Sequence, residues 1–226
     1  MHNKYPKGSE WGKWDLHIHT PASILESEYK SNWDSYIQTL FRKAIENDIV
    51  GIGITDYYFV DGYKKLKNEY LSNPKKMSEL FSEEEIIAIN NIFIFPNLEF
   101  RINKLVIGKD KDLKWNRKVN FHVLLSNEIA IDDIEENLLS KLTFEETAET
   151  SSPSQKTPIT KRNLIRFGAR LKKEQTEFQS KSDLYIGTMN VAIDETQLVD
   201  LLTSQNETFK CKYLLGLPSD EDLSRV

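Results

Sequence analysis

The strongest hydrophobic periodicity in the chain runs from Trp33 to Asp48. Trp33, Tyr36, Ile37, Leu40, Phe41, Ala44 and Ile45 recur there at helical spacing and predict an amphipathic helix. Ahead of it, Trp14-Asp15-Leu16-His17-Ile18-His19 alternates polar and apolar positions with the period of a strand, and Thr20-Pro21 ends it. Behind it, Val50 to Thr55 is a short apolar strand closed by Asp56. Asp61 to Leu71 and Ser82 to Asn90 return to helical spacing, the second opened by a capping box of Ser82 and Glu85. Ile92 to Phe95, Leu98 to Ile107 and Val119 to Leu125 read as strands, Lys161 to Thr176 and Thr196 to Ser204 as helices, and Lys210 to Leu215 as a strand. Strands alternating with helices imply an α/β fold with a largely parallel sheet.

Thr143 to Thr160 interrupts this pattern with Thr, Ser, Glu and Pro and reads as a mobile loop or insertion. Pro218-Ser219-Asp220-Glu221-Asp222 has the form of a helix start, yet only four residues follow it. Residues 1–226 therefore read as one domain of a longer protein, cut before its last elements.

Chemistry concentrates at the strand ends. In an ideal strand Asp15, His17 and His19 share one face and Leu16 and Ile18 the other, so both imidazoles can meet one ion. Asp56, Glu99 and His122 fall within or just after separate predicted strands, where an α/β barrel gathers its active-site residues. A lone H-x-H is often a strand decoration; a strand with only Asp and His opposite an apolar face favours metal ligation.

Composition narrows the ligand types. Cys211 is the only cysteine, which leaves His, Asp and Glu as ligands and excludes a thiolate cage or an intrachain disulfide. A net charge of −5 argues against a whole-surface nucleic-acid footprint and leaves room for a local basic patch. No window approaches the run of about 18 apolar residues that a membrane span needs, and the start lacks a signal-peptide core, so a cytoplasmic location is expected.

The set His17, His19, Asp56, Glu99 and His122 resembles the polymerase-and-histidinol-phosphatase (PHP) family. Asp15-Leu16-His17-Ile18-His19-Thr20 is similar to its first motif and Gly51-Ile52-Gly53-Ile54-Thr55-Asp56 to its second. Pro96-Asn97-Leu98-Glu99 resembles the segment supplying a metal-bridging glutamate, and Asn120-Phe121-His122-Val123-Leu124 the third motif. The likeness covers residues 13 to 125. It implies a distorted (β/α)7 TIM-like barrel, incomplete in this chain, with two divalent ions (zinc, manganese or iron) on His17, His19, Glu99 and His122. It also implies phosphoester hydrolysis, with Asp56 and Glu99 as catalytic residues. Neutral imidazole suits those ions better than calcium or magnesium, and paired ions assist phosphoester hydrolysis.

Two departures matter. The family's second motif continues with histidine after the aspartate, whereas Tyr57 follows Asp56 here, and no histidine occurs after His122. Lys13 to Ser23, together with the later motifs, is most similar to PHP domains that begin large bacterial ATPases related to chromosome-maintenance and DNA-repair ATPases, some of them in phage defence. That resemblance implies a nucleic-acid or nucleotide substrate and an ATPase domain in the same polypeptide. The departures keep open a degenerate, non-catalytic platform regulating an ATPase, and the family also contains small-molecule phosphatases of the histidinol-phosphatase type.

Weaker signals remain. Arg162, Arg166 and Arg170, with Lys172 and Lys173, give one helix a basic stripe that can track a nucleic-acid backbone, hold a substrate phosphate or simply face solvent. Tyr57, Tyr58 and Phe59 can stack on a base beside the metal or pack in the core. Asp132, Asp133, Glu135 and Glu136 read as an exposed acidic helix face.

Overall fold

A computed structural model describes residues 11–24, 29, 32–106, 117–146, 155–175, 178–203 and 207–217, with backbone alone at 104–106, 117–118, 146 and 155. Strand β1 (Lys13–His19) leads to helix α1 (Trp33–Glu46) and strand β2 (Ile49–Tyr57). Asn32 caps α1 by accepting the Ser35 amide at 3.2 Å, and the periodic residues Trp33, Tyr36, Ile37, Leu40, Phe41 and Ala44 are the buried ones. Helix α2 (Asp61–Lys65) runs on into a π-helical turn (Leu66–Leu71), followed by α3 (Pro74–Leu80) and α4 (Glu83–Ile89). The expected capping box opens α4, with Ser82 N–H donating to Glu85 at 2.9 Å and Glu85 N–H to Ser82 Oγ at 3.3 Å.

Strands β3 (Phe93–Val106) and β4 (Arg117–Leu125) follow, then α5 (Ile131–Asn137), strands β5 (Thr143–Glu146) and β6 (Gln155–Pro158), helices α6 (Lys161–Glu174), α7 (Asp183–Asn190) and α8 (Glu195–Thr203), and strand β7 (Tyr213–Gly216). The main sheet has the order β1-β2-β3-β4-β7. β1, β2 and β3 are parallel, while β4 runs antiparallel to both β3 and β7. The sheet is therefore mixed, not largely parallel, and among the described residues it does not close into a barrel. Only ten residues separate β3 from β4, fewer than the dozen or so that a parallel crossover needs, so the neighbouring strand returns antiparallel.

The sequence splits β3 at Pro96-Asn97, but the strand is continuous there. β4 pairs with β3 only from Asn97 onward, so Pro96 sits where one side of β3 has no strand partner, a position that tolerates its missing N–H. The expected loop at 143–160 likewise contains a hairpin, β5 against β6, whose Phe144 is buried against Phe167 of α6 with ring centroids 5.2 Å apart. Helices α6 and α7 cross at Gly168 and Gly187; a Cβ on either would collide with backbone of the other helix. The helix start expected at Pro218 to Asp222 lies outside the described residues. No described helix is long and apolar enough to cross a membrane.

Candidate metal centre

The register of β1 on β2 is broken between Asp15 and Ile18. Asp15 pairs with Ile52 and Ile18 with Ile54, so β1 holds one extra residue, a β-bulge. This changes which side chains share a face. Asp15, expected beside the histidines, instead lines the groove under α1 with Ile18, Leu40 and Ile52. Trp14 joins Phe93 and Phe95 on the site face, with ring centroids 5.9 and 6.1 Å away.

On that face His17 Nε2 lies 3.2 Å from His19 Nε2 and 3.2 Å from Glu99 Oε2, and His19 Nε2 lies 3.6 Å from the same oxygen. One ligand atom from each of the three falls within 4.8 Å of the other two. β4 adds His122, opposite Glu99 in the ladder, with its ring centroid 4.8 Å from that of His17. Four of the five residues named at the strand ends are thus brought together. Asp56 stands apart from this cluster. Its carboxylate accepts the Gly62 amide at 2.7 Å and the Thr20 hydroxyl at 3.4 Å, and it lines a small adjoining pocket with Ser23, Asp61, Lys161 and Thr188.

The rings are held from behind. His19 Nδ1 lies 3.1 Å from the Thr55 carbonyl and 3.1 Å from Ser23 Oγ, and His122 Nδ1 lies 3.2 Å from Asn97 Oδ1. A proton on each Nδ1 leaves the Nε2 lone pair free for an ion, the usual arrangement behind a ligating imidazole. Sequence reasoning missed Ser23, Thr55 and Asn97. A polar residue two before Glu99, on the same face of an otherwise apolar strand, was the available signal for Asn97.

Electrostatics suit a cation. Burial pushes the Glu99 carboxyl up, but the His17 hydrogen bond and the electrostatic influence of His17, His122 and His19 outweigh it and hold it below the usual carboxylate range. Glu99 Oε1 is buried with no hydrogen-bond partner among the described residues, an unpaired acceptor that a ligated cation would satisfy. Burial lowers His122 to about 4, outweighing the Glu99 charge, so its imidazole is neutral at physiological pH. Asp56 moves the other way, up to about 7, because of burial and, secondarily, Asp61 nearby.

No protein-family model matches the chain, and no curated protein matches it. Among solved structures, it is similar to the crystal structure of a "putative metal-dependent phosphoesterase" from Bifidobacterium adolescentis. The identity is 14% over 85% of this chain and 50% of that one, with a TM-score of 0.31. The chain spans about half the length of that protein. At so distant a likeness, the site's own atoms carry the functional argument.

The aromatic residues after Asp56 divide in role. Tyr57 is buried and stacks on His19, centroids 5.3 Å apart and planes 14° from parallel. Burial, then the Glu99 charge beside it, pushes its phenol up. Tyr58 is a core residue, not a base-stacking surface: it is 1% exposed, its hydroxyl donates to the Val191 carbonyl at 2.9 Å, and it accepts the Arg101 amide at 3.0 Å. Its φ of 59° is costly for a bulky side chain, and these bonds hold it there. Arg162 and Arg166 lie on the exposed side of α6, while Arg170 is half-buried beside Phe167 and Glu174.

Proposed function

We propose that this protein is a metal-dependent phosphoesterase. The observation that carries the reading is the convergence of two imidazoles on a buried carboxylate that keeps one oxygen unpartnered, with a third, neutral imidazole alongside. His17, His19 and Glu99 would hold one divalent ion, and Glu99 with His122 a second. Bound zinc, manganese or iron activates water and neutralises phosphoryl oxygens at neutral pH.

The chain's own residues prepare that chemistry. Glu99 stays ionised at the base of the cluster, while the His17 side chain, 48% exposed, opens it to a ligand. Thr55 and Asn97 fix the rings, and Tyr57 covers one face of His19. Asp56 holds the Thr20 turn that follows His19 and stands as the nearest buried acid. Hydrolysis adds water across the phosphorus–oxygen ester bond, hydroxyl to phosphorus and proton to the leaving oxygen.

The resemblance to PHP domains supports the finer reading: a PHP-type barrel, a nucleic-acid or nucleotide substrate, and an ATPase region in the same polypeptide serving DNA repair or phage defence. In that reading Arg162 and Arg166, exposed on α6, would contact phosphate. Tyrosine at position 57, where the PHP motif has histidine, favours two ions over three, since a phenol must lose a proton to ligate well.

The test is metal analysis after reconstitution with manganese or zinc, together with hydrolysis of bis-p-nitrophenyl phosphate and of single-stranded DNA. Metal uptake and metal-dependent cleavage that vanish in a His17→Ala, His19→Ala double variant are expected. A protein that binds no transition metal, or a double variant cleaving like its parent, overturns the reading and leaves the platform role.

A further inference from the structure

Asn97 is 2% exposed and sits on the site face two residues before Glu99. Its Nδ2 donates to the Leu16 carbonyl at 2.7 Å and to Thr55 Oγ1 at 3.1 Å, and its Oδ1 lies 3.2 Å from His122 Nδ1. The orientation of this amide is dictated by chemistry. A carbonyl can only accept, so the NH2 group must face Leu16, and Oδ1 must then face His122. An amide oxygen cannot donate. His122 Nδ1 must therefore carry the proton, which leaves Nε2 with a lone pair.

The other end of the same side chain acts on β1. Leu16 lies within the bulged stretch between Asp15 and Ile18, the stretch that brings Trp14 and His17 onto the same face. Its carbonyl is caught by Asn97 and passes over Gly53, where no Cβ intervenes. Thr55 joins the group, its hydroxyl 3.5 Å from the Leu16 carbonyl while its own carbonyl faces His19 Nδ1. One amide thus ties three strands together behind the ligand cluster.

We propose that Asn97 is the positioning residue of the metal centre, holding the β1 bulge that presents His17 and fixing the tautomer of His122. This rests on the metal-binding reading above and adds to it a residue that never touches the ion. An apolar residue at 97 would leave the Leu16 carbonyl and the His122 Nδ1–H without these partners. Aspartate would keep an acceptor toward His122 but turn a second oxygen toward the Leu16 carbonyl.

Two measurements decide it. Long-range proton–nitrogen NMR on the metal-free wild-type protein near neutral pH should show His122 as the Nδ1–H tautomer; finding Nε2–H overturns the proposal whether or not any variant folds. Metal titration of Asn97→Ala, with thermal unfolding as the folding control, should show affinity for manganese or zinc reduced about 10- to 100-fold and His122 spread over both tautomers. Asn97→Asp should retain the His122 tautomer while losing affinity through β1. Folded Asn97→Ala with wild-type affinity and an unchanged tautomer overturns the proposal. If the wild-type protein takes up no metal, the phosphoesterase reading fails by itself, and the tautomer measurement still judges Asn97.

Discussion

Gly53 lies directly against the bulged backbone of Leu16. A Cβ at residue 53 would sit 2.9 Å from the Leu16 carbonyl carbon and 3.1 Å from its Cα, and would run into the carbonyl oxygen. Both sides of the contact are backbone, so neither can rotate away. Gly53→Ala should therefore push β1 from β2 and cost about 1–3 kcal/mol, the range of an overpacked interior. Because His17 and His19 ride on that strand, metal affinity should fall with stability. Denaturant unfolding and metal titration check this; an alanine variant matching wild type in both would mean that the bulge is not held by this contact.

The carboxyl of Asp56 predicts a pH effect of definite sign. Its folded value, raised mainly by burial to about 7 from 3.8, means that the folded state binds the proton more tightly than the unfolded one. The stabilisation is complete below the unfolded value and is lost as pH rises through the folded one. Asp56→Asn removes the titration, and its amide can still accept from Gly62 and donate to the Thr20 hydroxyl. The variant should gain on wild type by on the order of 3 kcal/mol as pH rises across that window. Urea midpoints measured at both ends of the window test it, and parallel pH profiles for the two proteins would count against it.

The parts of this fold that were legible in the sequence are those whose cause is local. Helix α1 follows from its apolar spacing, and α4 from Ser82 and Glu85. His17, His19, Glu99 and His122 were legible because unusual polar residues close apolar strands. What escaped depends on partners distant in sequence. Nothing in Trp14 to His19 marks a bulge; its cause lies in Gly53 and Asn97 on other strands. Pro96 reads as a break until the pairing of β4 is known, and Gly168 and Gly187 have meaning only once α6 and α7 cross. Asn97 falls in the gap between two predicted strands, and its role shows only through three partners that lie on β1, β2 and β4.

Metal-free protein should lose stability in acid through His122. Its folded value of about 4 is below the ordinary 6.5, chiefly through burial, so the unfolded chain takes the proton first. Stability from this group is complete above the unfolded value and drains away as pH falls toward the folded one, by about 2–3 kcal/mol at the far end. His122→Gln should flatten this limb of the profile. Added zinc or manganese should raise the melting temperature near neutral pH, by the equivalent of about 2.7 kcal/mol at a hundredfold excess over Kd, and lose that effect in acid as the imidazoles protonate. A melting temperature indifferent to metal near neutral pH would contradict the ligand assignment.

Tyr57 offers the sharpest test of how many ions the centre takes. It stands opposite Glu99 in the β2–β3 ladder and its ring lies flat on His19. With the phenol pushed up, it is a neutral hydroxyl near neutral pH and a weak ligand. An imidazole at this position can keep the stack on His19 while offering a nitrogen toward the Glu99 side, where Oε1 is buried and unpartnered. Tyr57→His should therefore raise the metal content of the reconstituted protein by about one ion per chain. Tyr57→Phe keeps the ring without a ligand atom and should leave the content as in wild type, which separates ligation from packing. Elemental analysis of the three proteins, after equal exposure to manganese and removal of loosely held ion, gives the count. Equal content in Tyr57→His and wild type, with both folded, would show that the tyrosine is not what limits the number of ions here.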